Sequence, residues 1–174
     1  MISLLQRFIK DLRGVAAVEF ALIAPVMLVM LIGTIELSNY MMAARRADAA
    51  AYTAADLISQ ETDITTSDLD EIFQASRLIM SPFNDTDLAL GAASVRYDNS
   101  TGNPTEDWSG SYNGGSVNNA ATLATGMGSA GESVIIVTAT YAYTPILGII
   151  LSGTYTLSET IITRPRYINY VGFY

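Results

Sequence analysis

An apolar run broken by a single acid limits what this chain can become. From Phe20 to Ile35 there are 16 consecutive uncharged residues, and extending back to Val15 gives a 21-residue segment interrupted only by Glu19. At about 1.5 Å per residue, a helix of that length matches the ~30 Å hydrocarbon core of a bilayer. The run therefore predicts a membrane-spanning helix and leaves one carboxylate to be explained. An ionised acid in a membrane helix costs on the order of 2–3 kcal/mol on insertion scales, so it wants a partner. Two partners are conceivable. One is a basic side chain reaching in from the flank, such as Arg13. The other is the α-ammonium created if a peptidase cuts after Gly14, which makes Val15 the first residue and Glu19 the fifth.

Charge is divided unevenly around this segment. Residues 1–14 carry Arg7, Lys10 and Arg13 against Asp11, a net of +2, whereas residues 15–174 carry 6 basic and 16 acidic side chains, a net of −10. Three cations before the run, against Arg45 and Arg46 after it, favour the N-terminus inside, with the bulk of the chain outside the cytoplasmic membrane. An acidic domain repels nucleic acid and anionic head groups, so neither is an expected partner. The chain has no cysteine and no histidine. Disulfides are excluded, and the commonest general base and metal ligand is missing. The sole lysine, Lys10, lies in the leader, so a serine–lysine pair has no base in the domain. A non-enzymatic role, with no cofactor and no small-molecule substrate, is expected.

A short basic leader ending in Gly14, four small or apolar residues, Glu19-Phe20 and then an apolar helix resemble the prepilin-peptidase site of the Flp, or tight-adherence, pilus system. The longer string Gly14 to Pro25, G-V-A-A-V-E-F-A-L-I-A-P, is similar to the TadE-like family of that system. Tyr141-x-Tyr143-x-Pro145 and Arg164-Pro165-Arg166 also look like strings of that family. The resemblance implies a pseudopilin or minor pilin-like assembly protein, cut between Gly14 and Val15, in which Glu19, followed by Phe20, sets subunit register. As partners it implies a prepilin peptidase, other pilin or pseudopilin subunits, the assembly machinery and the lipid bilayer. The implied location is a bacterial inner membrane, crossed once, with a cytoplasmic N-terminus and a periplasmic domain, and a surface pilus is a further implied destination. The alternative is an uncleaved bitopic protein whose external domain binds a partner.

The chain divides into a basic leader (1–14), a transmembrane helix (15–38) and an extracytoplasmic α+β domain (39–174) with a second helix and an antiparallel sheet, a pilin-like plan. Leu4, Leu5, Phe8, Ile9 and Leu12 could form a short amphipathic helix in the leader. A secretory signal ending at Ala47-Asp48-Ala49 is disfavoured because the apolar run is long and holds Glu19. Pro25, well inside the run, removes one backbone hydrogen bond and should bend or soften the helix. Leu37, Met41, Ala44, Ala47, Ala51, Ala54 and Ile58 recur at spacings of three or four, which predicts one apolar, mostly alanine stripe. If the helix runs on to Ser59 it is roughly 65–70 Å long.

Asp68 with Glu71 resembles a cap, followed by Leu69, Ile72, Phe73, Ser76, Ile79 and Met80 on a second helix that Pro82 stops. Ala93 to Tyr97 reads as a strand, and Asp98 to Asn119, rich in Asn, Gly and Ser, as a long surface loop anchored only by Trp108 and Tyr112. Ser133–Tyr143 and Thr154–Thr163 alternate strongly and are expected to pair as an antiparallel hairpin. Ile146 to Leu151 between them is expected to fold onto the domain's own core, with a subunit or membrane contact as the alternative. The aromatic tail Tyr167 to Tyr174 reads as an edge strand or a contact surface.

Three further strings carry little. Gly126-Met127-Gly128-Ser129-Ala130-Gly131 satisfies a dinucleotide fingerprint but lacks the strand before it and the helix after it. Asp85, Asp87, Asp98, Asn99 and Asn103 offer oxygen ligands without a calcium-loop spacing and are expected to be solvated. Glu159 falls in register with the apolar face of its strand, so it either twists outward or meets Arg96, Arg164 or Arg166.

Overall fold

A computed structural model describes residues 14–174; residues 1–13 of the leader, with Arg13 and the expected amphipathic helix, lie outside the described residues. The chain opens on α1 (Val15–Gln60), 46 residues without a break, and thus about 70 Å long. Pro25 sits inside α1 without ending it. The helix stops where Glu61 takes up extended backbone, at φ −81° and ψ 149°.

A two-residue strand, β1 (Asp63–Ile64), leads to α2 (Thr66–Arg77). The cap of α2 lies one turn earlier than the sequence reading placed it. Thr65 is the N-cap and Asp68 is the third helical residue, and each binds the other's backbone N–H. The Asp68 oxygen accepts from Thr65 N at 2.8 Å, and the Thr65 hydroxyl accepts from Asp68 N at 3.2 Å. Two free donors at the helix start are satisfied by two residues, which is the economy of a capping box.

The remaining strands are β2 (Leu88–Tyr97), β3 (Pro104–Tyr112), β4 (Ser133–Tyr143), β5 (Tyr155–Thr163) and β6 (Gly172–Phe173), with a one-turn helix, α3 (Ala120–Leu123), before β4. They form a four-stranded antiparallel sheet in the order β3-β2-β4-β5, while β6 pairs in parallel with β1. The expected β4–β5 hairpin is present, in register from Ile135 opposite Thr163 to Tyr143 opposite Tyr155.

The stretch read as a long surface loop contains β3, which pairs with β2 from Leu90 opposite Tyr112 to Tyr97 opposite Pro104. This edge strand buries little of itself; Trp108 is its one buried side chain. Its order comes from the ladder and not from an alternating pattern, so polar composition misled the reading. The turn before it is closed by Asp98, whose carboxylate accepts from Ser100 N at 3.0 Å and Thr101 N at 2.8 Å. Gly110 lets α2 lie close on β3, since a Cβ there would collide with the Leu69 side chain.

The sheet is buried on both faces. One face, with Ile135, Val137, Ala139, Tyr141 and Tyr143 of β4, packs under the upper part of α1 and under Leu69 and Phe73 of α2. The other, with Ala93, Val95, Val134 and Ile136, is closed by Ala120 and Ala124 around α3. The domain is therefore α+β, with the long helix laid across an antiparallel sheet. The stripe facing that sheet begins differently from the one expected. Ala47, Ala51, Ala54 and Ile58 are buried, but Leu37 and Met41 are exposed, and Glu36 takes the inward position at that level.

The tail is stitched down. Trp108 Nε1 donates to the Val171 carbonyl at 3.0 Å, and its ring stacks on Phe173 with centroids 5.5 Å apart. Arg166 forms an ion pair with Asp56 of α1, and its backbone N–H donates to the Ser59 carbonyl at 2.8 Å.

Candidate functional site

The residues singled out from sequence all lie on the lower part of α1, which stands clear of the domain. Gly14 takes the N-cap position with helical dihedrals and no side-chain cap. Val15, Glu19, Phe20 and Pro25 are all exposed. Val15 and Glu19, one turn apart, fall on the same side of the helix. An 18-residue window in α1 has a mean hydropathy of 2.5, with none of it buried by the rest of the chain. In water this surface would be a large apolar liability; its length and composition suit it to crossing a bilayer.

At the upper end of the apolar run is a feature the sequence reading did not find. The Glu36 side chain is buried, 2% exposed, and reaches the backbone of the loop joining β4 to β5. Its two carboxylate oxygens accept from Ile149 N at 2.9 Å, Ile150 N at 3.0 Å and Leu151 N at 2.7 Å. Three successive N–H groups converging on one anion form a small backbone cradle, and an ionised acceptor makes each bond stronger than a neutral one would. Gly148, at φ +63°, supplies the left-handed residue that turns the loop into this shape. Gly33, one turn below Glu36, lies beside the Ile150 side chain, which a Cβ there would meet at an ordinary van der Waals distance of 3.5 Å.

The loop does not fold onto the domain core as expected. Ile146 is 83% exposed, and Leu147, Ile149 and Ile150 are about half exposed. What holds it is backbone hydrogen bonding to a helix carboxylate, which leaves the side chains free to point elsewhere. The only signals for this in the sequence were Glu36 at the end of an apolar run and an apolar hexapeptide around a glycine.

Just above Glu36, aromatic side chains gather where helix and sheet meet. Tyr40 packs edge-on against Tyr143 and Tyr155, at centroid distances of 5.6 and 5.9 Å, and Phe83 meets Tyr143 at 6.3 Å. Burial, and then the nearby Glu36 carboxylate, push the Tyr143 phenol above its ordinary value, so it stays neutral. Arg46 is drawn to the domain, donating to the Ile79 carbonyl at 3.1 Å.

The remaining candidate motifs resolve into structure. The glycine string 126–131 lies in the turns between α3 and β4 and opens no helix. Asp98 is occupied with its own turn, and among the described residues no cluster of acidic side chains has metal-binding geometry. None of the three arginines proposed for Glu159 reaches it. Arg96 lies over the Tyr170 ring at 3.8 Å, Arg164 pairs with Glu132 at 3.7 Å, and Arg166 goes to Asp56. Glu159 is half-exposed on the edge strand β5, opposite Ala139. The Arg164-Pro165-Arg166 string is thus a strap across the far end of the sheet.

One comparison bears on this helix: the family model described as TadE-like protein matches residues 14–56. The match begins at the glycine before α1 and ends at the aspartate that pairs with Arg166, so it spans the exposed lower part, Glu36 and most of the packed upper part. No curated protein and no solved structure matches the chain.

Proposed function

With α1 matched to the TadE-like family, we propose that the protein is a pseudopilin or minor pilin-like component of a tight-adherence pilus system, processed after Gly14 and used in assembling or initiating the filament. The family match supports an association with that pilus system, and the long apolar helix supports a single-pass membrane protein. The observation that carries the finer reading is the condition of the lower helix. It is apolar, unaccompanied by its own domain, and bears one exposed carboxylate, Glu19, a single turn from Val15.

The mechanism is local and electrostatic. After cleavage the Val15 amine is a cation at the lipid boundary, and Glu19 of a neighbouring subunit is an anion there. In a low-dielectric setting each is costly alone, and together they offset that cost. A subunit out of register leaves both unpaired. Phe20 and the side chains after it supply apolar contact, and Pro25 supplies a point where the helix gives. The domain would sit in the periplasm, with its partners being the prepilin peptidase, other subunits and the assembly machinery.

N-terminal sequencing of protein recovered from membranes tests the processing step: the expected start is Val15, and a functional chain starting at Met1 overturns it in favour of an uncleaved bitopic protein. Glu19→Gln should insert into membranes as well as the native chain but fail to assemble. Normal filaments from that variant would refute the register mechanism.

A further inference from the structure

We propose that the loop between β4 and β5, residues 146–151, is a second membrane-contacting element, held at the outer boundary of the bilayer by Glu36. The inference rests on α1 spanning the membrane and is independent of the pilus reading.

Position comes first. The apolar run of α1 ends at Ile35, and Glu36 is the next residue. A 30 Å core takes about 20 helical residues, so a span that starts near Val15 reaches its outer boundary near this point. The Glu36 hydrogen bonds place the loop backbone at this level, and the Gly33–Ile150 approach extends the contact one turn further toward the lipid. The loop is thus continuous with the surface that the helix presents to acyl chains.

Composition agrees. Five of the six residues from Ile146 to Leu151 are isoleucine or leucine, and no charged side chain occurs anywhere between Ser133 and Ser158. The whole hairpin end that points toward the membrane is therefore free of charge in a domain that is otherwise strongly acidic. Tyr40 and Tyr155 lie immediately above it, where amphipathic rings are favoured at a lipid–water boundary.

The clamp answers the difficulty any irregular loop meets in such a place. Backbone N–H groups facing hydrocarbon lose water and must find an acceptor within the protein. Glu36 provides it for Ile149, Ile150 and Leu151, and those three donors satisfy a carboxylate that would otherwise be stranded at the same depth. Each half makes the other tolerable. The occupant of the loop's outer surface is the bilayer, to a depth of roughly 5–10 Å, as for other interfacial segments.

The native chain has no cysteine, so single labels can be placed without background. Ile146→Cys, Leu28→Cys and Ser100→Cys, each in the full-length chain, are labelled with an environment-sensitive fluorophore and reconstituted in zwitterionic vesicles containing brominated lipid. The expected result is strong lipid quenching at positions 28 and 146 and none at 100, which lies in the turn at the opposite end of the sheet. In the Ile146→Cys background, Glu36→Gln keeps one carbonyl acceptor but turns an amide toward the loop donors. It should cut quenching at 146 at least two-fold and leave the Leu28→Cys signal unchanged.

Quenching at 28 but iodide access at 146 overturns the inference and spares the spanning helix. A label at 146 shielded from both lipid and iodide places the loop against another copy of the chain and also overturns it. Loss of lipid quenching at 28 removes the premise itself. Residue 146 is 83% exposed, so its substitution should not disturb the fold.

Discussion

Between Val15 and Ile35, α1 carries valine, leucine, isoleucine and methionine that stand exposed; between Ala43 and Ser59 it presents to the sheet six buried alanines and Ile58. A hydropathy scale ranks the first stretch far above the second, yet only the second is inside the protein. The difference is one of solvent and distance. Bulky side chains maximise dispersion and transfer energy where the surroundings are fluid lipid or a future neighbour. Alanine lets a rigid sheet come close enough to pack against the helix backbone, and interiors are packed too tightly to accept much else. One continuous helix thus serves two environments by changing side-chain size without interrupting its hydrogen bonds.

This contrast has measurable consequences, greatest where the upper half loses its one large fully buried side chain. Ile58→Ala should cost about 2–5 kcal/mol of domain stability, because Ile58 is fully buried and its removal leaves a cavity. Leu28→Ala should cost the domain nothing by the same measurement, denaturant unfolding followed through Trp108 fluorescence in detergent. Equal losses would mean that the lower helix also packs on the domain. Overpacking comes next: Ala51→Leu should destabilise by about 1–3 kcal/mol, while Ala21→Leu in the exposed half should be silent. Breaking the strap with Asp56→Asn should have a smaller effect, up to about 1 kcal/mol, since the pair with Arg166 is partly exposed and solvent-screened.

The smallest effect is read on the acid side. Hydrogen bonds from the Thr65 side chain and backbone hold the Asp68 carboxyl below its ordinary value of 3.8. The folded state therefore releases this proton more readily than the unfolded one. Its contribution is complete above the ordinary value and disappears as pH falls through the lowered one. Asp68→Asn should weaken the cap at neutral pH and reduce the additional loss on acidification below 3.8. A variant with an unchanged acid limb would show that the box does not couple to folding.

Elements defined by their own side chains were legible in the sequence. The length of the apolar run, the alanine spacing from Ala47 to Ile58 and the alternation in Ser133–Tyr143 each state a local preference, and the fold follows all three. Elements defined by what lies opposite them were not. β3 exists because β2 offers it a ladder, and Thr65 is a cap because the chain arrives there extended. Glu36 was the deepest miss. A carboxylate after an apolar helix reads as the polar end of a span, and its three donors are backbone groups 113 to 115 residues away, which no side-chain pattern reports. Of the sites marked in advance, Val15, Glu19, Phe20 and Pro25 all stand on exposed helix, with Gly14 as its N-cap.

The pairing of β6 with β1 and the hold of Trp108 on Val171 join the last part of the chain to a strand that precedes the sheet and to the sheet's own edge strand. A nascent or partly delivered copy possesses its helix and all four main strands while Ile64 and the Trp108 ring still lack their cover. Closure must wait for residue 173, whatever pace the earlier segments set. Copies cut short before Tyr167 should therefore expose an apolar seam at Ile64 and Trp108, read as faster proteolysis than that of the full domain.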